Sequence, residues 1–307
     1  SGVHRVEILR GPQGLMYGAD AGGVINISTG TTQPGAGGQL AAEAGRYGTS
    51  QYSAEFHAGN AQLDGNLSLA DFSTDGFNSR TSDTDPADDD GYDNHTLHAR
   101  AGWNVSDQLR LELVGRDVDS DNEYDNCFTV DTFAPSNRCA DSYQQQALRA
   151  AASFRGEQFQ HELAYNRSET ERQLFTAGLA GFGTEGDLTR VTYLGSYASG
   201  NNLQLVYGVD HETQSLNDGT FDTERDQTGY YLEYQGSVAD QLFFTAGARY
   251  DDNEDFGSHD SYRVSTAYLL PALDAGEVKF KAAWSTGFRA PSLYEIAYNK
   301  SFFASPP

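Results

Sequence analysis

Apolar and polar residues alternate with a period of two along most of this 307-residue chain. Residues 51–58 read QYSAEFHA, so that every second side chain is apolar and the others are polar. Successive side chains of a β-strand point to opposite faces, and this period therefore predicts strands with one apolar and one polar face. The same pattern recurs in residues 109–113, 148–154, 203–209, 230–234, 244–250, 262–268 and 278–284.

The pattern predicts roughly thirteen strands, the last ending near Phe288. Short polar turns, such as Ser106-Asp107 and Gly156-Glu157, join the strands on one side. On the other side we expect long loops, because acidic or glycine-rich stretches lie there. Alternation of short and long connections is typical of an antiparallel meander that crosses a membrane. The long loops are expected at residues 76–92, 119–142, 173–187, 214–226 and 251–260.

Charged residues lie on the polar face of the predicted strands, and the other face is aliphatic and aromatic. In a closed barrel of this many strands the interior is wet, so we expect the polar face to line the lumen and the apolar face to contact lipid. The predicted fold class is therefore mainly all-β, a transmembrane antiparallel β-barrel. The polar face carries Glu55, Arg110, Glu112, Arg149, Glu162, Asp210, Glu233, Arg249, Lys279 and Lys281.

The segment Val6–Thr32 differs from the rest of the chain because apolar residues and glycines are dense in it. Residues 6–9 and 23–27 are predicted as two short strands. Glycines between them permit bends that residues with a Cβ resist. Composition alone favours a buried strand–loop–strand unit, and the glycine-rich Gln33–Gly38 that follows is typical of a linker.

Three motifs in this segment resemble the C-terminal half of the plug domain of TonB-dependent outer-membrane receptors. They are Arg10-Gly11-Pro12, Tyr17-Gly18 and Gly22-Gly23-Val24-Ile25-Asn26-Ile27. The resemblance implies that residues 1–34 are the C-terminal part of a plug domain and that residues 35–307 are the N-terminal part of a receptor barrel. Because plugged outer-membrane transporters have about 22 strands, we expect the chain to be a fragment.

The formal net charge of −24 argues against a nucleic-acid partner, because phosphate binding requires a basic patch. Divalent cations are the natural counter-ions of such a chain. No run of about 18 apolar residues is present, which excludes a spanning helix but leaves a spanning barrel open, since alternating strands keep the average hydropathy low.

Aspartates crowd two of the expected loops, within residues 83–93 and 117–131. Like charges repel, so a folded acidic loop requires a counter-cation, and the alternative is a solvated loop. Calcium fits the first possibility because it takes six to eight oxygens from flexible loops.

These loops also resemble the calcium-binding loops of the cobalamin transporter subgroup of the receptor family. The matching residues are Asp88-Asp89-Asp90-Gly91 and Tyr124-Asp125. The resemblance implies calcium as a cofactor, and Asn78 is a departure because the subgroup has an acid there. The candidate calcium ligands are Asp88, Asp90, Asp125, Asp141, the carbonyl of Tyr124, and Asn78.

Cys127 and Cys139 are the two cysteines of the chain, and they flank a polar run. A loop-closing disulfide in an oxidising compartment is favoured. Two free thiols and half of a metal site are the alternatives, although no further Cys or His lies close in sequence to complete a zinc site.

No catalytic motif is present, and the seven histidines are scattered, so we expect no enzyme. The resemblance implies an outer-membrane transporter of a Gram-negative bacterium. Its implied partners are TonB, with its inner-membrane energising complex, and outer-membrane lipid, and its implied ligand is a cobalamin-like corrinoid. An iron chelate, either a ferric siderophore or haem, is the alternative ligand. A passive porin-like channel and a secreted calcium-binding β adhesin are the other classes considered. The sequence assigns no residue to ligand contact.

Overall fold

The computed structural model describes residues 3–10, 15–18, 23–29, 34–80, 88–200, 202–270 and 278–302. Among these residues the chain forms seventeen strands, a 3-10 turn at Leu15–Tyr17 and one α-helix. The elements are β1 (Val3–Arg10), β2 (Gly23–Thr29), β3 (Gly35–Ala44), β4 (Ser50–Gly59), β5 (Leu63–Phe77), β6 (Asp90–Asn104), β7 (Leu109–Tyr124), β8 (Cys127–Phe128), β9 (Pro135–Ser136), β10 (Cys139–Arg155), β11 (Phe159–Thr176), β12 (Leu179–Ser199), β13 (Leu203–Asn217), β14 (Asp222–Val238), β15 (Leu242–Asn253), β16 (Gly257–Leu269), β17 (Lys279–Ser285) and α1 (Leu293–Phe302).

Thirteen of these strands form one sheet, in which each strand pairs with its neighbours in the order of the chain. The sheet runs from β3 to β17, and the small hairpin β8–β9 is inserted between β7 and β10. Every pairing is antiparallel. The predicted fold class and number of barrel strands are therefore confirmed, and the last strand ends at Ser285, three residues before the predicted end.

The two faces of the sheet separate apolar from charged side chains, as the alternation predicts. Leu113, Leu163 and Leu232 are exposed on the apolar face. Arg249 and Asp210 are buried on the opposite face, which we call the inner face. A sheet with this pattern has its apolar face suited to lipid and its inner face suited to a polar lumen.

Most of the predicted long loops are wrong, because the strands continue through them. β11 and β12 run to Thr176 and from Leu179, so the connection within residues 173–187 is a two-residue turn. Here the acidic residues pair across the ladder, as Glu169 does with Asp187. Four glycines and adjacent apolar residues, such as Leu174 and Phe175, interrupt the alternation within residues 173–187, so a period of two does not reveal the strands there.

The predicted glycine linker is also wrong over its last four residues, because β3 begins at Gly35. Gly37 and Gly38 pair with His57 and Phe56 of β4. A Cβ on Gly38 would lie 2.7 Å from the carbonyl oxygen of Glu55. In this strand, therefore, glycine permits close approach of two backbones, a role that sequence composition cannot separate from that of a linker.

The opening segment forms the two predicted strands, and β1 pairs with β2 in an antiparallel hairpin. Its apolar side chains, including Val6, Ile8, Ile25 and Ile27, are exposed, so the hairpin is not the buried unit that composition favoured. We call the described residues of Val3–Thr29 the N-terminal unit. No helix among the described residues is long and apolar enough to cross a membrane.

Candidate functional site

A buried ionic network lies on the inner face where β13, β14 and β15 are adjacent. The Arg249 side chain is 0% exposed and lies between Asp210, which is 3% exposed, and Asp251, which is 1% exposed. Arg249 Nη1 donates to Asp210 Oδ2 at 2.8 Å, and Nε donates to Asp251 Oδ1 at 2.9 Å. Arg190 adds a second cation at 3.0 Å from Asp210 Oδ1. Opposite charges thus compensate each other in a site where three of the four side chains have almost no exposed surface.

Glycine and aromatic residues shape the space around this guanidinium. A Cβ at Gly229 would lie 1.9 Å from Arg249 Nη2, so only glycine leaves room for the side chain at that position. The guanidinium carbon lies 5.9 Å from the centre of the Tyr231 ring, within the range of a cation–π contact. The inner face of the sheet, which we also call the wall, therefore holds the Arg249 side chain in one position.

The N-terminal unit contacts the wall at this network. Arg249 Nη1 donates to the carbonyl oxygen of Leu15 at 3.2 Å, and the Leu15 side chain is 2% exposed. The neighbouring Met16 lines a cavity of about 400 Å³ together with inner-face residues such as Glu162 and Gln235. The 3-10 turn is thus placed on the inner face, where a lumen-filling segment would lie.

The described motif residues of the N-terminal unit lie in its two strands and at the 3-10 turn. Arg10 ends β1 and pairs with Gly23 at the start of β2. Tyr17 ends the 3-10 turn, and Gly18 and Gly23 have φ of +119° and +109°, a region that favours glycine. Asn26 donates to Glu7 Oε2 at 3.0 Å across the hairpin. Gly11, Pro12 and Gly22 lie outside the described residues.

Two of the candidate calcium ligands come together at the loop between β5 and β6. Ser79 joins them: its backbone N–H donates to Asp90 Oδ2 at 2.7 Å, and its hydroxyl donates to Asp125 Oδ2 at 3.2 Å. The other oxygen of Asp125, Oδ1, is buried and has no hydrogen-bond partner. A buried carboxylate oxygen without a partner is costly, and a bound cation would satisfy it.

Two further candidate ligands, Asp141 and Asn78, form hydrogen bonds with other residues of the protein. Asp141 accepts from Arg172 Nε at 3.0 Å and from Asn122 Nδ2 at 3.2 Å. The Asn78 side-chain oxygen accepts from the backbone N–H of Arg80 at 3.0 Å.

Asp88 precedes β6, and Tyr124 is the last residue of β7, where it pairs with Cys139. Within the ranges that the structure describes, no group of three His, Cys, Asp or Glu side chains is placed to hold a metal ion. The residues present therefore fit a calcium site in part, through Asp90 and Asp125.

Cys127 and Cys139 are joined by a disulfide with an S–S distance of 2.10 Å, and neither is a free thiol. The bridge closes the loop that carries the β8–β9 hairpin at the end of β7. The Thr176 hydroxyl lies 3.4 Å from the Cys127 sulfur and donates to the carbonyl of Phe128 at 3.1 Å. The bridged loop is thereby attached to the end of β11.

The sequence analysis does not predict helix α1, although Ser292 and Glu295 form a capping motif at its start. The Ser292 hydroxyl accepts from the backbone N–H of Glu295, and the Glu295 carboxylate accepts from the backbone N–H of Ser292. Arg289 adds two hydrogen bonds of 2.9 Å, and together these donors lower the pKa of Glu295 to about 2. Buried Arg225 donates to the Pro291 carbonyl at 2.8 Å, which attaches the helix start to β14.

The sheet is an open antiparallel meander with an apolar outer face and a charged inner face, which the N-terminal unit contacts. These features define part of a membrane-spanning β-barrel. A family model described as TonB dependent receptor-like, beta-barrel, matches residues 28–307. The chain belongs to this family of outer-membrane receptors and transporters.

Curated relatives align along almost the whole chain. The vitamin B12 transporter BtuB of Photobacterium profundum is 28% identical over 98% of this chain and 48% of its own length. The vitamin B12 transporter BtuB of Vibrio vulnificus is 25% identical over 97% of this chain and 48% of its own length. The chain therefore spans about half the length of the curated relatives it matches.

Solved structures with the same fold include two iron-chelate receptors of Pseudomonas aeruginosa. The siderophore receptor PirA superposes with a TM-score of 0.76 at 18% identity, covering 95% of this chain and 51% of the receptor. A mutant of the ferric enterobactin receptor PfeA superposes with a TM-score of 0.78 at 16% identity, covering 96% and 50%. At these identities the superpositions show the shared fold alone.

Proposed function

We propose that this chain is part of an outer-membrane active transporter that binds a cobalamin-like corrinoid at the cell surface and imports it with energy transmitted by TonB. The observation that carries this proposal is the alignment with curated vitamin B12 transporters over 98% of the chain. The N-terminal unit then belongs to the plug, and residues 35–307 belong to the barrel wall. The apolar outer face contacts membrane lipid.

The inner face gives physical support to a gated transporter. Its charged side chains suit a wet lumen, and the contact between Arg249 and Leu15 supports a position of the N-terminal unit within that lumen. A permanently open porin would have no need of this unit. Transport by such a protein changes no covalent bond of the ligand, so no catalytic group is required.

Calcium is proposed as the ion that orders the acidic loops at the surface. The support is the convergence of Asp90 and Asp125 on Ser79, together with the unpartnered Asp125 Oδ1. Asp88 and the Tyr124 carbonyl would complete the site, and Asp141 would join it only after leaving Arg172. A cation bound there would hold the β5–β6 and β7–β10 connections together as a ligand-binding surface.

Growth rescue tests the ligand. The intact receptor is expressed in a receptor-deficient strain whose growth requires cobalamin, and in a second strain that requires a ferric siderophore or haem. We expect rescue by cobalamin at low concentration, and loss of that rescue in a strain without TonB. Rescue by the iron chelates alone would assign the receptor to the alternative ligand class, and rescue independent of TonB would indicate a passive channel.

A further inference from the structure

The five N–H groups of Arg249 are divided between the wall and the N-terminal unit. An arginine side chain has five N–H donors in a planar fork. The Nε donor and both Nη2 donors face the Asp251 and Asp210 carboxylates, with Nη2 at 2.7 Å from Asp251 Oδ1 and 3.0 Å from Asp210 Oδ1. One Nη1 donor binds Asp210 Oδ2 at 2.8 Å. The remaining Nη1 donor binds the Leu15 carbonyl at 3.2 Å.

We propose that Arg249 is a positioning residue that latches the N-terminal unit to the barrel wall through this fifth donor. The latch can be released, because departure of Leu15 leaves the guanidinium with its carboxylate partners intact. The wall therefore does not have to rearrange when the unit moves. A role for this release in the transport cycle rests on the proposed function, whereas the latch itself does not.

The wall holds the latch in place independently of the unit. Asn253 donates to Gln227 at 2.8 Å, and Gln227 lies 3.5 Å from Asp251 Oδ1, which steadies that carboxylate from the far side. Arg190 contacts Asp210 from the other side. Because both carboxylates are fixed, the fifth donor is aimed at Leu15 in advance, and binding costs little reorganisation.

Steric fit at Gly247 complements the hydrogen bond. A Cβ on Gly247 would lie 3.0 Å from Leu15 Cδ1 and 3.2 Å from Glu233 Cβ. The Leu15 side chain is buried against this glycine, so a side chain there would displace it. Gly247 and Arg249 are both inner-face residues of β15, and they meet the same residue of the unit by different physical means.

The Leu15 carbonyl is a third acceptor beside the two carboxylates, and arginine can bind all three whereas lysine cannot. Lysine would keep the positive charge, but its three N–H donors cannot serve two carboxylates bidentately and reach a third acceptor. The Leu15 carbonyl also accepts from the backbone N–H of Gly18 at 3.4 Å, so the arginine stabilises the 3-10 turn as well as its position. Exchange of the Gly18 amide proton therefore reports on the latch.

The test is made on the intact receptor carrying Arg249→Lys or Gly247→Val. Hydrogen exchange at residues 15–18 is measured by mass spectrometry, and ion conductance is measured in planar bilayers, both without ligand or TonB. We expect exchange to accelerate about tenfold or more in each variant, since a hydrogen bond to a charged group or a buried apolar contact is lost. More frequent conductance openings should accompany it.

Two control variants separate the latch from the wall. Arg100→Lys changes another buried inner-face arginine, whose hydrogen bonds go to Asp64 and Glu112. Gly115→Val adds a side chain to a strand glycine that has nothing within 4 Å of its Cβ position. Neither control should accelerate exchange at residues 15–18. Heat-modifiable migration on a gel confirms that the barrel of each variant has folded.

Unchanged exchange at residues 15–18 in folded Gly247→Val, or equal acceleration in Arg100→Lys, would overturn the latch. If Arg249→Lys does not fold, the Gly247 variant decides alone, because it leaves the ionic network in place. The readouts need no transported ligand. A receptor that fails every growth rescue but shows these exchange changes would therefore refute the proposed function and retain the latch.

Discussion

Arg100 and Asp64 form a buried ion pair on the inner face, with 2.8 Å between Nη1 and Oδ1. The two side chains are only 4% and 11% exposed. Glu112 accepts from Arg100 Nη2 at 2.6 Å, and Arg110 contacts Asp64 at 2.7 Å, so two cations and two carboxylates compensate each other. A strand wall can bury such charges only when every one of them is paired.

Replacement of Arg100 by leucine is expected to destabilise the barrel by about 3–5 kcal/mol, because it leaves two largely buried carboxylates with one cation. The measurement is reversible urea unfolding of the intact receptor in lipid vesicles. Arg167→Gln is the matched control, since Arg167 forms an exposed pair with Asp187 and its loss should leave the midpoint unchanged. A leucine variant as stable as the wild type would show that the network adds nothing to stability.

The sequence predicts the barrel strands well where one face meets lipid. Residues 51–58 and 203–209 lie within strands of the structure because a buried or lipid-facing row imposes a period of two. The same rule fails in the first part of β12. Gly183 and Glu185 of β12 lie within a predicted loop, because glycines interrupt the alternation there although the ladder with β11 continues.

The candidate site is harder to predict from the sequence than the strands are, because its contacts join residues that are far apart along the chain. The alternation predicts Arg249 on the polar face, but nothing in the sequence links it to Leu15, which is 234 residues away. The aspartates near Asp90 and Asp125 could be grouped by composition and resemblance. Whether an aspartate is available to a cation depends on its neighbours. Asp141 meets Arg172 as a diagonal neighbour across the β10–β11 ladder, a contact that depends on strand register and side-chain conformation.

Reduction of the disulfide should expose the β8–β9 loop to protease without unfolding the barrel. The bridge closes a loop whose ends are 12 residues apart, whereas the flanking strands β7 and β10 remain paired along their length. Limited trypsin digestion of the intact receptor, with and without reduction and alkylation, should show faster cleavage at Arg138 in the reduced form. Cleavage at equal rates would mean that the hairpin is held by contacts other than the bridge.

The capping interaction of α1 should resist acid. Arg289 and the Ser292 backbone N–H hold the pKa of Glu295 at about 2, below the ordinary value of 4.5. A depressed pKa in the folded state means that the contribution of this carboxylate to stability is complete above pH 4.5 and is lost as the pH falls through about 2. Carbon-13 NMR of the glutamate carboxyls provides the measurement.

Arg289→Gln is the comparison variant for this titration. Removal of the guanidinium takes away the largest cause of the shift, so the pKa of Glu295 should rise toward its ordinary value, while the Ser292 bond keeps it from reaching that value. An identical titration in both proteins would contradict the role assigned to Arg289.

Asp125 and Asp141 are both candidate calcium ligands by resemblance, but their substitution should affect calcium binding to different extents. Asp125 has a buried oxygen without a partner, so Asp125→Asn should weaken calcium binding by about tenfold or more, because a charged oxygen ligand is lost. Asp141 is neutralised by Arg172, and Asp141→Asn should change the affinity little. Isothermal titration calorimetry of the intact receptor with calcium measures both variants. Equal losses of calcium affinity in the two variants would place Asp141 among the ligands and would require Arg172 to move. An intact receptor that binds no calcium would remove the ion from the proposed function.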